Sequence, residues 1–330
     1  MPQLQCEEIR FPSADGVHTV VASMYTMPGV PVRAVLQLSH GMCEYFSRYT
    51  AFAKYLCGLG FIVCGNDHIG HGASVSRPAD LGFFAAHDGW KYLIQDVLHL
   101  RELMHRRYPD LPYFMLGHSM GSLIVRLCLP ECGTELAGSI LIGTAGPNAA
   151  ALSAAHIADS IARTRGVTFR SGLLNGIAFK AYNRRIDHPN SVFDWLSRDE
   201  EVVSLYQSDE KCNFIFTASA FRDLFILCAR TATRPSAAPR TTCRCSSSQA
   251  TATRSAATAT VCAASSVFIV QAAPATSTQF FTKTPVMSCS TSSAASRPTA
   301  IFRAGSRNAS PNRPRRLLPK HRKHNSTAKG

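Results

Sequence analysis

Three observations in this 330-residue chain predict an α/β fold, a mainly parallel sheet with helices on both faces. Short apolar runs of buried-strand length alternate with amphipathic helical spacing through residues 1–146. One such run, Phe114 to Leu116, passes through Gly117-His118-Ser119-Met120-Gly121 straight into helical text from Ser122 to Leu127. The strand signal then vanishes over residues 147–223, where Ala, Ile and Leu interleaved with Arg and Asp read as a helical cap laid over the sheet.

The elements follow in order. His18 to Met27 is extended text after the turn signal Ser13-Ala14-Asp15-Gly16, and Val32 to Ser39 has the length of a buried strand. That second run ends in Ser39-His40-Gly41-Met42-Cys43-Glu44, a His-Gly turn directly after a strand, where backbone N–H groups point at a ligand. Arg48 to Leu59 has helical spacing, with Tyr49, Phe52, Ala53 and Leu56 on one face. Gly60 to Asn66 is the next strand and opens into the glycine-rich turn Asp67-His68-Ile69-Gly70-His71-Gly72. Gly89 to Tyr108 is a long amphipathic helix, and strands are expected at Pro112 to Leu116 and Gly138 to Gly143.

The chemistry is concentrated at the strand-to-helix turn. A serine there takes a backbone with φ above zero, and Gly117 and Gly121 supply the absent side chains that let strand and helix pass closely. Because the helix begins at the serine, its free N–H groups face whatever negative charge forms beside Ser119. That is half of an acyl-transfer site. His118 and His40 flank the nucleophile and the His-Gly turn, positions where a histidine braces a loop by hydrogen bonds more readily than it serves as base. His68 and His71 stand at i, i+3 without a third ligand, so no metal is expected, and acyl transfer of this kind requires no cofactor.

In their order and spacing, the turns at 39–44, 67–72 and 117–122 resemble those of the monoacylglycerol lipase and lysophospholipase group of α/β-hydrolases, the serine-aminopeptidase-like branch. Phe193-Asp194-Trp195-Leu196-Ser197-Arg198-Asp199 is similar to a phrase in the cap of bacterial members, and the likeness covers residues 5 to about 225. The resemblance implies an N-terminal hydrolase core over 1–146, a cap over 147–223, and Ser119 as nucleophile. It implies an oxyanion hole from the backbone N–H groups of Met42 and Met120, with Gly117, His118, Gly121, His40 and Gly41 supporting elbow and turn. The implied partner is a small-molecule lipid ester, with at most peripheral membrane contact through the cap. The family takes its acid and histidine from loops after late strands, in the order Ser, Asp, His. Here nothing acidic follows Asp223, and the histidines beyond the cap are His321 and His324. The chain as written carries a nucleophile without triad acid or histidine, and is expected to be inactive.

Charge divides the chain at the same place. Residues 230–330 hold 16 Lys and Arg and no Asp or Glu, so the formal +14 falls as −2 on residues 1–229 and +16 on the remainder. The part that looks folded is near neutral, and no nucleic-acid partner is expected, although the basic run Arg313 to His324 reads as a tether for anions if taken alone. The first residues lack a basic start followed by an apolar run, and the twelve cysteines have no paired zinc spacing. Buried thiols in a reducing cytoplasm are the expectation.

From 224 to 330 the text is low-complexity Ala, Ser, Thr, Arg and Pro without helical or strand period. Read one nucleotide earlier, the codons of Thr242 to Ser255 permit D-L-P-V-L-L-L-S-G-D-x-D-P-V, an apolar strand ending in a glycine and acidic turn. In the same shift Pro285 to Ser292 permits R-H-E-L-L-N-E, similar to the family's phrase around its histidine. Residues from about 235 to 310 are therefore expected to be the remainder of the hydrolase core read out of frame.

Overall fold

The computed structural model describes residues 2–146, 148–179 and 182–233 and the backbone of 268–270, all within one unit spanning 1–275. The shifted-frame segments, His321, His324 and most of the low-complexity tail lie outside the described residues.

Four strands form the parallel centre: β3 (Ala34–Ser39), β4 (Phe61–Asn66), β5 (Tyr113–His118) and β6 (Gly138–Ile142), in spatial order β4, β3, β5, β6. Every residue of β3 is buried, as an apolar run covered on both faces requires. On one side the sheet continues antiparallel through β2 (Thr19–Thr26) to β1 (Gln5–Pro12), and on the other β7 (Phe268–Val270) pairs antiparallel with β6. The sequence reading places β2 to β6 and passes over β1. That strand reads Gln-Cys-Glu-Glu-Ile-Arg-Phe-Pro, is exposed over most of its length, and is held by register with β2 rather than by an apolar face of its own.

Helices cover the sheet as the alternation predicts. These are α1 (Thr50–Gly58), α2 (Gly89–Arg107) and α3 (Met120–Cys132). On α2 the residues Leu93, Val97, Leu100 and Met104 recur at helical spacing and are at most 1% exposed. Each such side chain stabilises the fold by about 1.5–3 kcal/mol relative to leaving it in water.

The segment expected to be a cap, 147–223, contains α4 (Ala151–Arg165), α5 (Gly172–Phe179), α6 (Glu200–Ser208) and the start of α7 (Ala218–Thr233). Helix α7 continues past residue 223, to Thr233. Leu224-Phe225-Ile226-Leu227-Cys228 keeps an apolar face toward the core, with Phe225 and Leu227 buried, so helix persists after the last acidic residue. The cap's narrow base is pinned. Arg170 and Thr217 form an antiparallel bridge, the Ala218 N–H donates to the Phe169 carbonyl at 2.7 Å, and the Arg170 guanidinium donates to the carbonyls of Ala79 (2.9 Å), Leu81 (2.7 Å) and Ile215. Among the described residues no helix is long and apolar enough to cross a membrane.

Candidate active site

Ser119 sits between the end of β5 and the first residue of α3 with φ 51° and ψ −117°, a conformation L-residues avoid. The strain is held from both sides. The Ser119 N–H donates to the Ile142 carbonyl at 2.9 Å, and the Ser119 carbonyl accepts the Ser122 N–H at 3.0 Å. The glycines explain why this turn closes. A Cβ on Gly117 would lie 2.5 Å from the Gly121 carbonyl oxygen, and one on Gly121 would overlap the Ser39 carbonyl. Ser119 is exposed while Gly117, Met120 and Gly121 around it are buried, so the hydroxyl is the part of the elbow offered to a ligand.

The turn after β3 approaches from the neighbouring strand, since β3 and β5 pair with Ser39 opposite Gly117. A Cβ on Gly41 would stand 3.1 Å from Ser119 Cβ. The Gly41 N–H is committed to Glu44 Oε1 at 2.5 Å and the Cys43 N–H to His71 Nε2 at 3.3 Å, with Cys43 at φ 54°. Between them lies the amide of Met42. Met120 is the first residue of α3, where helical N–H groups have no partner in their own helix.

Three buried histidines brace the two turns. His40 Nδ1–H donates to the Gly41 carbonyl at 2.8 Å, which leaves Nε2 to accept the His68 N–H at 3.0 Å. His71 repeats the pattern, with Nδ1–H on the Ile69 carbonyl at 3.2 Å and Nε2 accepting from Cys43. Burial, reinforced by neighbouring imidazoles, pushes His71 down to about 3 and His68 well below the ordinary value, and burial lowers His40 too. All three are neutral braces at pH 7. Among the described residues no group of three or more His, Cys, Asp or Glu is arranged to hold a metal.

His118 has a different environment. Its Nδ1 meets Glu44 Oε1 at 2.9 Å and the Tyr49 hydroxyl at 2.8 Å, and Tyr49 itself donates to Glu44 Oε1 at 2.9 Å. Burial opposes charge on both partners, yet each ion favours the other: the Glu44 carboxyl falls to about 2 and His118 rises above the ordinary histidine value. The sequence singles out His118 but assigns no role to Glu44, within the 39–44 turn, or to Tyr49, on the apolar face of the following helical stretch. No local signal announces their meeting with a histidine 74 residues away from Glu44.

Asp67 is a further such residue. Its carboxylate accepts the N–H groups of Phe46 and Ala73, both at 2.7 Å, and so locks the 67–72 turn to the segment after the His-Gly turn. The cap closes over the same place: Cys43 Sγ–H donates to the Phe214 carbonyl at 3.2 Å, Tyr45 OH to Asp209 at 2.7 Å, and His71 packs among Phe84, Phe214 and Phe216. An exposed serine hydroxyl at a strained strand-to-helix turn, set beside the N-terminus of α3 and near Phe214 and Phe216, is the kind of arrangement that attacks an acyl carbon and holds an oxyanion.

Comparison with known proteins identifies the family of the chain. Residues 30–243 match the family model described as serine aminopeptidase, S33. The chain is 35% identical over 197 residues to the monoglyceride lipase of Homo sapiens and 32% identical over 197 residues to that of Mus musculus, in both cases covering 60% of this chain and 57% of the relative. The chain thus spans a little over half the length of these curated relatives. Among solved structures it is similar to a highly thermostable carboxyl esterase from Bacillus coagulans in complex with glycerol, with TM-score 0.63 and 28% identity over 68% of this chain and 72% of that one.

Proposed function

Because the chain belongs to the serine aminopeptidase S33 family of α/β-hydrolases, we propose that its fold is that of a serine hydrolase acting on carboxylic esters, with monoacylglycerols or lysophospholipids as substrate. The observation that carries the proposal is Ser119 at φ 51°, exposed beside the turn that presents the Met42 amide. The names of the relatives, monoglyceride lipase, support the acylglycerol class. In the proposed reaction Ser119 Oγ attacks the ester carbonyl and its proton passes to a base. The carbonyl oxygen becomes an oxyanion held by the Met42 and Met120 N–H groups, and the alcohol leaves on protonation. Loss of one such donor raises the barrier by about 3 kcal/mol.

The base is the weak point of the chain as it stands. His40 has both ring nitrogens engaged, and His118 Nδ1 is engaged by Glu44 and Tyr49. We therefore hold the chain as written to be inactive, and the late acid and histidine to be encoded in the shifted frame between residues 235 and 310. A cytoplasmic setting is part of the same proposal; the described cysteines are free thiols, as a reducing compartment requires. Peripheral contact with lipid through the cap is supported by Leu173, Ile177 and Leu205, exposed by 63%, 46% and 61%. A second reading, a lipid-binding chain without catalysis, is favoured by the absence of any acidic residue after Asp223.

A fluorophosphonate probe tests the function. A frame-restored chain is expected to label at Ser119 and its Ser119→Ala variant to remain unlabelled, with ester hydrolysis lowered at least about 100-fold and the melting temperature kept within a few degrees. Labelling that survives Ser119→Ala overturns the assignment, and a frame-restored chain that binds lipid without labelling favours the second reading. The nucleotide sequence tests the frame: without a single-base slip between Asp223 and Arg240 the idea fails.

A further inference from the structure

We propose that Glu44 is the positioning residue of this site, its carboxylate fastening the turn that carries the Met42 amide to the elbow that carries Ser119. The inference rests on the ester-hydrolase reading above and names the residue that sets the distance between its two halves. One oxygen, Oε1, of a side chain that is 9% exposed as a residue accepts from three donors: the Gly41 N–H (2.5 Å), the Tyr49 hydroxyl (2.9 Å) and His118 Nδ1 (2.9 Å). These donors come from three places in the chain. Gly41 immediately precedes Met42, His118 immediately precedes Ser119, and Tyr49 directly precedes α1.

Geometry makes that oxygen the spacer between turn and elbow. A Cβ on Gly41 would be 2.5 Å from Glu44 Oε1, 3.1 Å from Ser119 Cβ and 3.4 Å from His118 Nδ1, so carboxylate, turn and nucleophile converge on one point. An ionised carboxylate is the acceptor this point calls for, because three donors meet one oxygen in a water-poor setting and hydrogen bonds to an ion are shorter and stronger there. A glutamine in its place keeps the shape, loses the charge and accepts more weakly. The Met42 amide then wanders relative to Ser119, and a misplacement of about 1 Å is enough to cost an oxyanion donor most of its effect. Since the oxyanion exists only in the transition state, in a frame-restored chain the deficit falls on kcat and leaves KM nearly unchanged.

The test uses the full chain, isotope-labelled for amide resonances, with phenylboronic acid as probe. The serine oxygen adds its lone pair to the trigonal boron and its proton goes to solvent, giving a tetrahedral boronate anion in the place of the oxyanion. In the free wild-type chain the Gly41 amide proton is expected far downfield, and Glu44→Gln is expected to move it upfield. On adding the boronic acid, the Met42 and Met120 amides both shift in the wild type and neither shifts in Ser119→Ala. In Glu44→Gln the Met120 response persists, the Met42 response is lost, and affinity for the boronic acid falls about 10-fold or more. Should Glu44→Gln fail to fold, Tyr49→Phe removes one of the three donors and is expected to diminish the Met42 response alone. Wild-type behaviour of Gly41 and Met42 in Glu44→Gln, or of Met42 in Tyr49→Phe, overturns the positioning role while leaving the hydrolase reading intact. A wild-type chain in which the boronic acid moves neither amide overturns the hole assignment, and the positioning role with it.

Discussion

Two acidic side chains, Glu44 under the oxyanion turn and Asp223 at the base of the cap, are both buried, and they titrate in opposite directions. Burial raises both. For Glu44 the neighbouring His118 and the donors gathered on Oε1 outweigh burial and bring the carboxyl down to about 2. Asp223 lies against the first residue of α2, where a Cβ on Gly89 would be 2.5 Å from Oδ2, yet neither of its oxygens has a hydrogen-bond partner among the described residues. Arg222 approaches to 3.5 Å, but its guanidinium donates instead to the Ala86 carbonyl and Asp159. Burial therefore prevails at Asp223 and its pKa rises to about 7. Depth alone does not decide whether a carboxyl is ionised; the donors brought to it by distant parts of the chain do.

The severest way to break the better-bonded region is to separate its strands. Gly121→Ala drives a Cβ into the Ser39 carbonyl, with the His40 carbonyl 2.6 Å away, and is expected to cost 3 kcal/mol or more, seen as loss of cooperative melting. Gly166→Ala, at φ 100° with open space around it, serves as a control for backbone strain without collision and is expected to cost about 1–3 kcal/mol.

Glu44→Gln sharpens the comparison. Because the folded pKa of about 2 lies below the ordinary 4.5, Glu44 stabilises the fold above pH 4.5, and that stabilisation is lost as pH falls from 4.5 toward 2. Denaturant melts at pH 7 are expected to show a loss of about 2 kcal/mol in the variant, narrowing as the pH falls through that window. An equal deficit at pH 7 and pH 3 would sink this account. Asp223→Asn is expected to act with the opposite sign. The folded state favours the proton between pH 3.8 and 7, so stability declines as pH rises through that range and the penalty is complete above 7. The variant should be more stable than the parent by on the order of 1–2 kcal/mol at pH 8 and indistinguishable from it near pH 4. A loss at pH 8 would show that Asp223 has donors at the N-terminus of α2 after all.

The smallest effect is expected at Arg77. Its guanidinium forks onto Asp80 at 2.8 and 2.9 Å while 75% exposed, so Arg77→Ala should change the melting point within the scatter of surface substitutions, about 0.5 kcal/mol.

How far the sequence speaks for each region follows from the range of its forces. Strands β2 to β6 and the elbow are legible because apolar run length and the glycines at 117 and 121 act within a few residues. β1 is silent because its stability comes from pairing with β2, with Gln5 opposite Thr26. At 223 charge composition and structure part company, since the acidic residues end there while the apolar face of α7 continues to Leu227. At the site, Ser119 and the turn that carries Met42 stand in local motifs, whereas Glu44, Tyr49 and Asp67 acquire their partners only in the folded chain. Asp223 is the same lesson in reverse, since nothing local tells that the adjacent Arg222 turns its donors to Ala86 and Asp159.

The pinned neck between Phe169 and Ala218 bears on how the segment beyond it is tethered. The stretches on either side are bridged at Arg170 and Thr217, so the segment between them departs from and returns to neighbouring points. An insert with adjacent ends is topologically a long loop, and its length adds only slowly to the entropy of closing it. Residues 171 to 216 form in that sense a cassette whose far end still touches the turns below, since the Phe214 carbonyl accepts from Cys43 and Asp209 from Tyr45. Exchange of the cassette therefore keeps the sheet's register only where those contacts are kept.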